Sequence, residues 1–181
     1  MKIVLFSEKG GSGKSTLAVA LASALNLPLV DLDPQEISSG HLANRDASQL
    51  GAGWVADLPA GLNLALCSYI NEADLIVIPV RPSWPDFKSL PFSLKFIEAH
   101  KGQHTKVAVF GSAINAKSSD LALFMEGVAP YGLPILGHFT QRVVYGRAGL
   151  TGRPFADLNK VAAEESRRTV TALHSLLGVT K

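Results

Sequence analysis

Residues 8–16 read Glu8-Lys9-Gly10-Gly11-Ser12-Gly13-Lys14-Ser15-Thr16, and they directly follow an apolar run at positions 3–6. This composition predicts a phosphate-binding loop between a strand and a helix, and residues 8–16 are called the phosphate loop below. Glycines let successive backbone N–H groups surround phosphate oxygens, Lys14 adds a positive charge, and Ser15 offers a hydroxyl to Mg²⁺. The positive end of the following helix dipole adds to the attraction.

The phosphate loop departs from the common pattern G-x-x-x-x-G-K-[ST]. Glu8 stands where the first glycine would fall, and an additional lysine, Lys9, precedes two adjacent glycines. Because the pattern already places one lysine at the phosphates, the second lysine calls for a further explanation. It is the first indication of how the protein works.

Composition limits the class of protein. The chain has 181 residues, of which 47% are hydrophobic and 18% are charged, so we expect one domain over residues 1–181. The formal net charge is +2, distributed as −3 over residues 1–100 and +5 over residues 101–181, which permits a basic surface on the second half. A single cysteine excludes an internal disulfide, and no apolar run approaches the roughly 20 residues that cross a bilayer. A cytoplasmic protein is expected.

Short runs of Val, Ile and Leu alternate with longer segments of helical period. This alternation predicts an α/β fold, a mainly parallel sheet with helices on both faces. Trp54 and Trp84 are expected to be packing residues. Strands are predicted near residues 2–7, 28–32, 53–57, 74–80, 105–111 and 134–139. Helices are predicted near residues 14–26, 40–48, 62–71, 85–100, 118–130 and 160–177.

Acidic side chains end the second and third predicted strands. Asp31 and Asp33 belong to the second strand end, and Asp57 belongs to the third. In an open parallel sheet ligands bind at the carboxyl ends of strands, so Asp33 and Asp57 are expected to converge on a nucleotide phosphate and its Mg²⁺. For Asp31, a structural role at the strand end is an equal alternative to metal support.

Together these motifs resemble a known family. The phosphate loop followed by Asp31-Leu32-Asp33-Pro34-Gln35 is similar to the deviant-Walker ATPases of the ParA/MinD superfamily. Two further stretches resemble the small plasmid-partition members typified by ParF: Asp74-Leu75-Ile76-Val77-Ile78-Pro79-Val80-Arg81-Pro82-Ser83 with Asp86-Phe87, and Thr140-Gln141-Arg142-Val143-Val144-Tyr145. The resemblance spans nearly the whole chain. It implies a P-loop NTPase fold of Rossmann-like three-layer type, with ATP and Mg²⁺ as ligands.

The resemblance also implies roles for individual residues. Lys14 would bind the β- and γ-phosphates in its own subunit, whereas Lys9 would reach across a nucleotide-sandwich homodimer to phosphates in the other subunit. Asp33 would orient the attacking water, and Asp57 would be the Walker B carboxylate. The implied catalytic residues are Lys9, Lys14 and Asp33, and the implied metal-site residues are Ser15, Asp31 and Asp57. The implied nucleotide-binding residues are Lys9, Gly10, Gly11, Ser12, Gly13, Lys14, Ser15, Thr16 and Asn115.

Asn115 follows the fifth predicted strand, and the resemblance suggests that it contacts adenine. An ordinary turn asparagine is an equal alternative. Assembly beyond a dimer is left open.

The family resemblance implies an ATP-dependent cycle on DNA. ATP-bound dimers would bind DNA without sequence preference, and a ParB-like centromere-binding partner would stimulate slow hydrolysis, so the protein would be nucleoid-associated. The candidate DNA contacts are Arg142, Arg147, Arg167 and Arg168. A MinD-like membrane-positioning ATPase and a P-loop small-molecule kinase or ligase are the alternatives. The apolar stripe of the last helix lacks Phe, Trp and a basic flank, so we expect it to pack on the sheet and expect no membrane partner.

Overall fold

The computed structural model describes residues 1–33, 43–44, 52–142, 145 and 159–179. Within these ranges seven strands form one sheet in the order β3-β2-β4-β1-β5-β6-β7, and every neighbouring pair is parallel. The strands are β1 (Lys2–Leu5), β2 (Leu29–Asp31), β3 (Ala43–Asn44), β4 (Trp54–Asp57), β5 (Leu75–Val80), β6 (Lys106–Ile114) and β7 (Ile135–Thr140). The predicted parallel sheet is confirmed.

Helices cover both faces of this sheet. They are α1 (Lys14–Leu25), α2 (Cys67–Glu72), α3 (Trp84–His100), α4 (Asp120–Val128) and α5 (Lys160–Leu177), with short 3₁₀ turns at Leu64–Leu66 and Ala129–Tyr131. The first strand shows how the sheet is buried on both sides. Ile3 and Leu5 pack into a core with α1 and α5, whereas Val4 and Phe6 pack into a second core with α2, α3 and α4. The α/β class with three layers is confirmed.

The last helix packs as the sequence predicts. Leu173 is fully buried, and Val170, Leu176 and Leu177 pack against the core formed with α1. Asn159 begins the helix by accepting hydrogen bonds from two backbone N–H groups of the first turn. In the part of the chain that the structure describes, no helix is long and apolar enough to cross a membrane.

Two local predictions were wrong, and a third was correct only in part. A helix was predicted at 40–48, but residues 43–44 form the strand β3. They are extended because they pair with Leu29 and Val30 of β2. The other residues of that segment lie outside the described ranges. The predicted helix at 62–71 is a 3₁₀ turn followed by α2, since the Asn63 side chain accepts from the Ala65 N–H and tightens the turn. Trp54 is buried as expected, but Trp84 at the start of α3 is 76% exposed.

Packing of α4 against the sheet gives a test of the fold. Phe124 is fully buried among the side chains of the α2–α4 core, whereas the adjacent Leu123 is 43% exposed. We expect Phe124→Ala to lower the free energy of unfolding by about 3–5 kcal/mol, because it leaves a cavity. Leu123→Ala, the matched control, should lower it by less than about 1 kcal/mol. Urea denaturation followed by circular dichroism measures both, and equal losses would contradict the observed packing.

Candidate functional site

Two glycines shape the phosphate loop. Gly11 (φ 72°) and Gly13 (φ 100°) adopt left-handed backbone conformations that disfavour residues with a Cβ atom. Gly13 is also approached closely, since a Cβ atom there would lie 2.2 Å from Ser112 Oγ. Ser112 belongs to an irregular end of β6, where Ala113 also has a positive φ of 54° and the register with β7 shifts. Gly13 is therefore constrained twice, by its own left-handed backbone and by its contact with β6.

The amino end of α1 is open to a ligand bound by the phosphate loop. Gly13 is its N-cap, no side chain caps it, and its first turn contains no acidic residue. The first backbone N–H groups of a helix have no partner within the helix, and together with the helix dipole they favour an anion. This end of α1 is therefore suited to a phosphate group.

The phosphate loop lines a cavity of about 480 Å³, called the loop cavity below. The loop residues that sequence analysis assigned to nucleotide binding, other than Lys9, are brought together there. The lining residues are Gly10, Gly11, Ser12, Gly13, Lys14, Ser15, Thr16, Asp33, Pro59, Ala60 and Arg81. Arg81 was not among the predicted site residues, although it belongs to the stretch 74–83 that carries part of the family resemblance.

Lys14 lies at the base of the loop cavity with its side chain almost completely buried. Burial lowers the pKa of this ammonium group, while the negative charges of Asp57 and Asp33 raise it. Asp57 is fully buried at the end of β4, in register with Leu5 at the end of β1. Both carboxylates thus act on the loop lysine, and their convergence on a nucleotide phosphate and its Mg²⁺ stays a prediction.

Asp31 is placed to orient Asp33. Its buried Oδ1 accepts a hydrogen bond from the Asp33 N–H at 3.0 Å, and Asp33 lines the loop cavity. This contact favours the structural role for Asp31 over direct metal binding. Pro34 and Gln35, the rest of this motif, lie outside the described residues.

The loop cavity offers donors that fit a phosphate and its Mg²⁺. The hydroxyl of Ser12 is buried with no hydrogen-bond partner among the described residues, so it is available to a phosphate oxygen. Ser15 lines the cavity, and Asp33 faces it. The described ranges contain no group of three or more His, Cys, Asp or Glu side chains that could hold a metal ion. A Mg²⁺ ion here would rely on Ser15, phosphate oxygens and waters oriented by carboxylates, which suits an ion that keeps several waters.

Lys9 does not line the loop cavity. Its ammonium group forms an ion pair with Asp86 in the first turn of α3, where the Asp86 side chain is buried and the Lys9 side chain is 34% exposed. Asp86 also accepts from the Ser83 hydroxyl at 2.5 Å and, more weakly, from the Arg81 N–H at 3.4 Å. The second lysine of the loop is therefore bound within its own chain, to a carboxylate far away in sequence.

Asn115 has the contacts of a turn residue. Its Oδ1 accepts from the Lys117 N–H at 3.0 Å, and its own N–H donates to Asp120 at 3.0 Å. It does not line the loop cavity. The geometry therefore favours the turn alternative, and adenine contact stays a prediction.

The candidate DNA contacts that the structure describes are exposed. Arg142 donates to the Thr140 hydroxyl at 2.7 Å, and Thr140 donates in turn to Glu165 of α5 at 2.7 Å. Arg167 and Arg168 both pair with the exposed Glu164 at 2.7 Å, and this pairing holds the pKa of that carboxyl at about 2. Arg147 lies outside the described residues.

Comparison with sequence families gives one match. The profile of the CobQ/CobB/MinD/ParA nucleotide binding domain matches residues 3–155, which include the phosphate loop, Asp33, Asp57 and Asp86. A comparison of the sequence with curated proteins gives no match.

Solved structures share the fold at low sequence identity. An ATP complex of a McdA variant from Cyanothece is 16% identical with a TM-score of 0.77, covering 99% of this chain and 97% of that one. A candidate plasmid partition protein from Borrelia burgdorferi, bound to AMPPNP, is 18% identical with a TM-score of 0.76, covering 96% and 98%. The septum site-determining protein MinD from Pyrococcus horikoshii, complexed with Mg-ADP, is 15% identical with a TM-score of 0.74, covering 98% and 97%.

Gly13 and Gly10 form a matched pair for testing the loop. A Cβ atom at Gly13 meets Ser112 in a left-handed backbone, whereas at Gly10 the nearest atom would be 3.9 Å away. We expect Gly13→Ala to lower the free energy of unfolding by about 2–4 kcal/mol, from backbone strain and crowding together. Gly10→Ala should change it by less than about 1 kcal/mol. Thermal unfolding compared at equal protein concentration would show the difference, and a Gly13→Ala protein as stable as wild type would contradict the described loop geometry.

Proposed function

The chain belongs to the CobQ/CobB/MinD/ParA family of nucleotide-binding domains, and from this premise we propose that it is a ParA-like ATPase that moves or positions plasmid or other DNA. Mg-ATP would drive sandwich dimerisation and nonspecific DNA binding, and slow hydrolysis would reset the protein. The single observation that carries the proposal is the phosphate loop with two lysines in different surroundings. Lys14 is buried at the loop cavity, and Lys9 is directed away from it to Asp86.

ATP with Mg²⁺ is the proposed substrate. The glycine backbone, the free Ser12 hydroxyl, the amino end of α1 and buried Lys14 together form a phosphate site, and Ser15 would contribute a hydroxyl ligand to the metal. Bound Mg²⁺ would neutralise charge that develops on the transferring phosphoryl group. Asp33, positioned by Asp31, would orient the attacking water. The relatives solved with ATP, AMPPNP and Mg-ADP support this choice of ligand.

We propose dimerisation because the surface around Lys9 is suited to contact with a second subunit. Beside it lies a depression lined by Glu8, Lys9, Pro85, Lys88, Ser89 and Phe92. Phe92 is 56% exposed, and Trp84 is exposed on the same helix. Exposed aromatic side chains of this size favour burial in an interface. To act on phosphates of the other subunit, Lys9 would exchange Asp86 for them, so the positive charge would reach the reacting group only in the dimer.

Attachment to DNA is proposed through the basic residues near β7 and α5. The Thr140–Glu165 hydrogen bond connects the segment that carries Arg142 to the helix that carries Arg167 and Arg168. Nonspecific binding needs only cations that neutralise backbone phosphates. The first half of α5 carries three cations, Lys160, Arg167 and Arg168, against two carboxylates, Glu164 and Glu165. The proposed location is the nucleoid within the cytoplasm, with a ParB-like protein as the partner that stimulates hydrolysis.

The membrane alternative is disfavoured by the packing of α5. Val170, Leu173, Leu176 and Leu177, which form its apolar stripe, contact the protein core and are not presented to a bilayer. A small-molecule kinase or ligase would use the same Lys14, Asp33 and Asp57, so dimerisation is the property that separates the two proposals.

Light scattering tests the dimer. In an Asp33→Ala background, in which hydrolysis should be blocked, we expect Mg-ATP to double the mass from the 19.2 kDa of one chain, whereas ADP should not. Adding Lys9→Ala should leave the protein monomeric while nucleotide affinity changes by less than about threefold, because Lys9 lies outside the loop cavity. Lys101→Ala is the matched control, since it removes a lysine that pairs with Glu98 at the far end of α3.

A monomeric Asp33→Ala protein that nevertheless binds ATP would refute the sandwich and favour the kinase or ligase. A Lys9→Ala double variant that still dimerises would refute the role of Lys9 in trans.

A gel shift on random duplex DNA tests the attachment. We expect binding with ATP but not ADP, and we expect Arg142→Glu and Arg167→Glu each to weaken it by about tenfold or more, because charge reversal replaces a phosphate contact with repulsion. Lys101→Glu is the control, since this lysine lies at the C-terminal end of α3, on the opposite face of the sheet from α5. If neither arginine variant alters the shift, the proposed surface is wrong.

A further inference from the structure

We propose that Arg81 is a further phosphate-binding residue of this site and that it contacts the terminal phosphate of ATP bound by its own chain. The inference rests on the proposed ATP binding and adds a specificity-determining side chain to it. Arg81 lines the loop cavity together with the phosphate loop and Asp33.

Sheet topology explains how Arg81 reaches the cavity. It directly follows β5, which pairs with β1, and the Phe6 N–H after β1 donates to Val77 of β5 at 3.1 Å. The segments that follow β1 and β5 therefore both leave the sheet at the carboxyl ends of its strands. On the other side of β1 come β4 and then β2, which ends at Asp31, two residues before Asp33. The phosphate loop thus lies between Arg81 on one side and Asp33 on the other.

The Arg81 backbone is held while its side chain is available. Its N–H interacts with Asp86 at 3.4 Å, and its carbonyl accepts from the Ser83 N–H at 2.7 Å. The following residue, Pro82, further restricts its backbone. The side chain is exposed, and no residue in the described ranges forms an ion pair or side-chain hydrogen bond with it. A positioned guanidinium without a carboxylate partner, at the wall of a phosphate cavity, is suited to an anionic ligand.

The charges around the cavity assign the contact to the terminal phosphate. Lys14 is buried at the base, close to the negative charges of Asp57 and Asp33, and Lys9 is neutralised by Asp86. The terminal phosphate of ATP carries more negative charge than the inner ones. Arg81 is the exposed cation at the cavity, and a guanidinium can donate two parallel hydrogen bonds to phosphoryl oxygens. We therefore expect it to distinguish ATP from ADP.

Nucleotide affinity gives the test. The dissociation constants of Mg-ATP and Mg-ADP would be measured by displacement of a fluorescent nucleotide, at protein concentrations where light scattering shows a monomer. Arg81→Ala should weaken ATP binding by about 10- to 100-fold and ADP binding by less than about threefold. Arg81→Lys should give an ATP affinity between those of wild type and Arg81→Ala, since it keeps the charge but not the bidentate geometry. Lys101→Ala, which removes a cation far from the cavity, should match wild type.

The outcomes separate this inference from the proposed function. If wild type binds neither nucleotide, the proposed ATPase fails and Arg81 has no ligand of this kind. If wild type binds ATP and Arg81→Ala binds it equally well, or loses ATP and ADP affinity to the same extent, the terminal-phosphate contact is wrong while ATP binding stands. Circular dichroism and urea unfolding of Arg81→Ala should match wild type, because the side chain is exposed.

Discussion

An ammonium group buried at the base of the phosphate loop needs negative charge close by, and the order of the central strands supplies it. Lys14 is almost fully buried, and in isolation such burial would favour its uncharged form. Asp57 ends β4, the immediate neighbour of β1, and Asp33 follows β2, the next strand along. A β2-β4-β1 order thus brings both carboxylates to the lysine. The electrostatic character of the whole cavity depends on this arrangement.

A second buried carboxylate organises the other side of the loop. Asp86 lies in the first turn of α3, where the helix dipole favours an acidic side chain. It connects the ammonium of Lys9, the hydroxyl of Ser83 and the backbone of Arg81. The turn between β5 and α3 is therefore coupled to the phosphate loop. In the proposed dimer Lys9 could not pair with Asp86 and with the other subunit's nucleotide at once, so this ion pair would have to break when the dimer forms.

Prediction from sequence succeeded for strands with a clear apolar run. It failed for residues whose conformation depends on pairing with a distant strand. The runs at β1 and β5 are continuously apolar, and both strands were predicted to within two residues. Ala43 and Asn44 have no strand preference of their own and are extended because they add an edge to β2. Trp84 was expected to be a packing residue, yet it begins α3 on an exposed face.

The amino-acid sequence by itself determined the phosphate loop, its glycines, Lys14 and the strand-end carboxylates. These depend on local composition and on the rule that parallel strands present their carboxyl ends at one edge. Only the tertiary structure decided that Asp86 binds Lys9, that Ser112 closes on Gly13, and that Arg81 enters the loop cavity. Two of those contacts join residues far apart in sequence, with 77 positions between Lys9 and Asp86 and 99 between Gly13 and Ser112. Strand order brings them together, and no local periodicity encodes strand order.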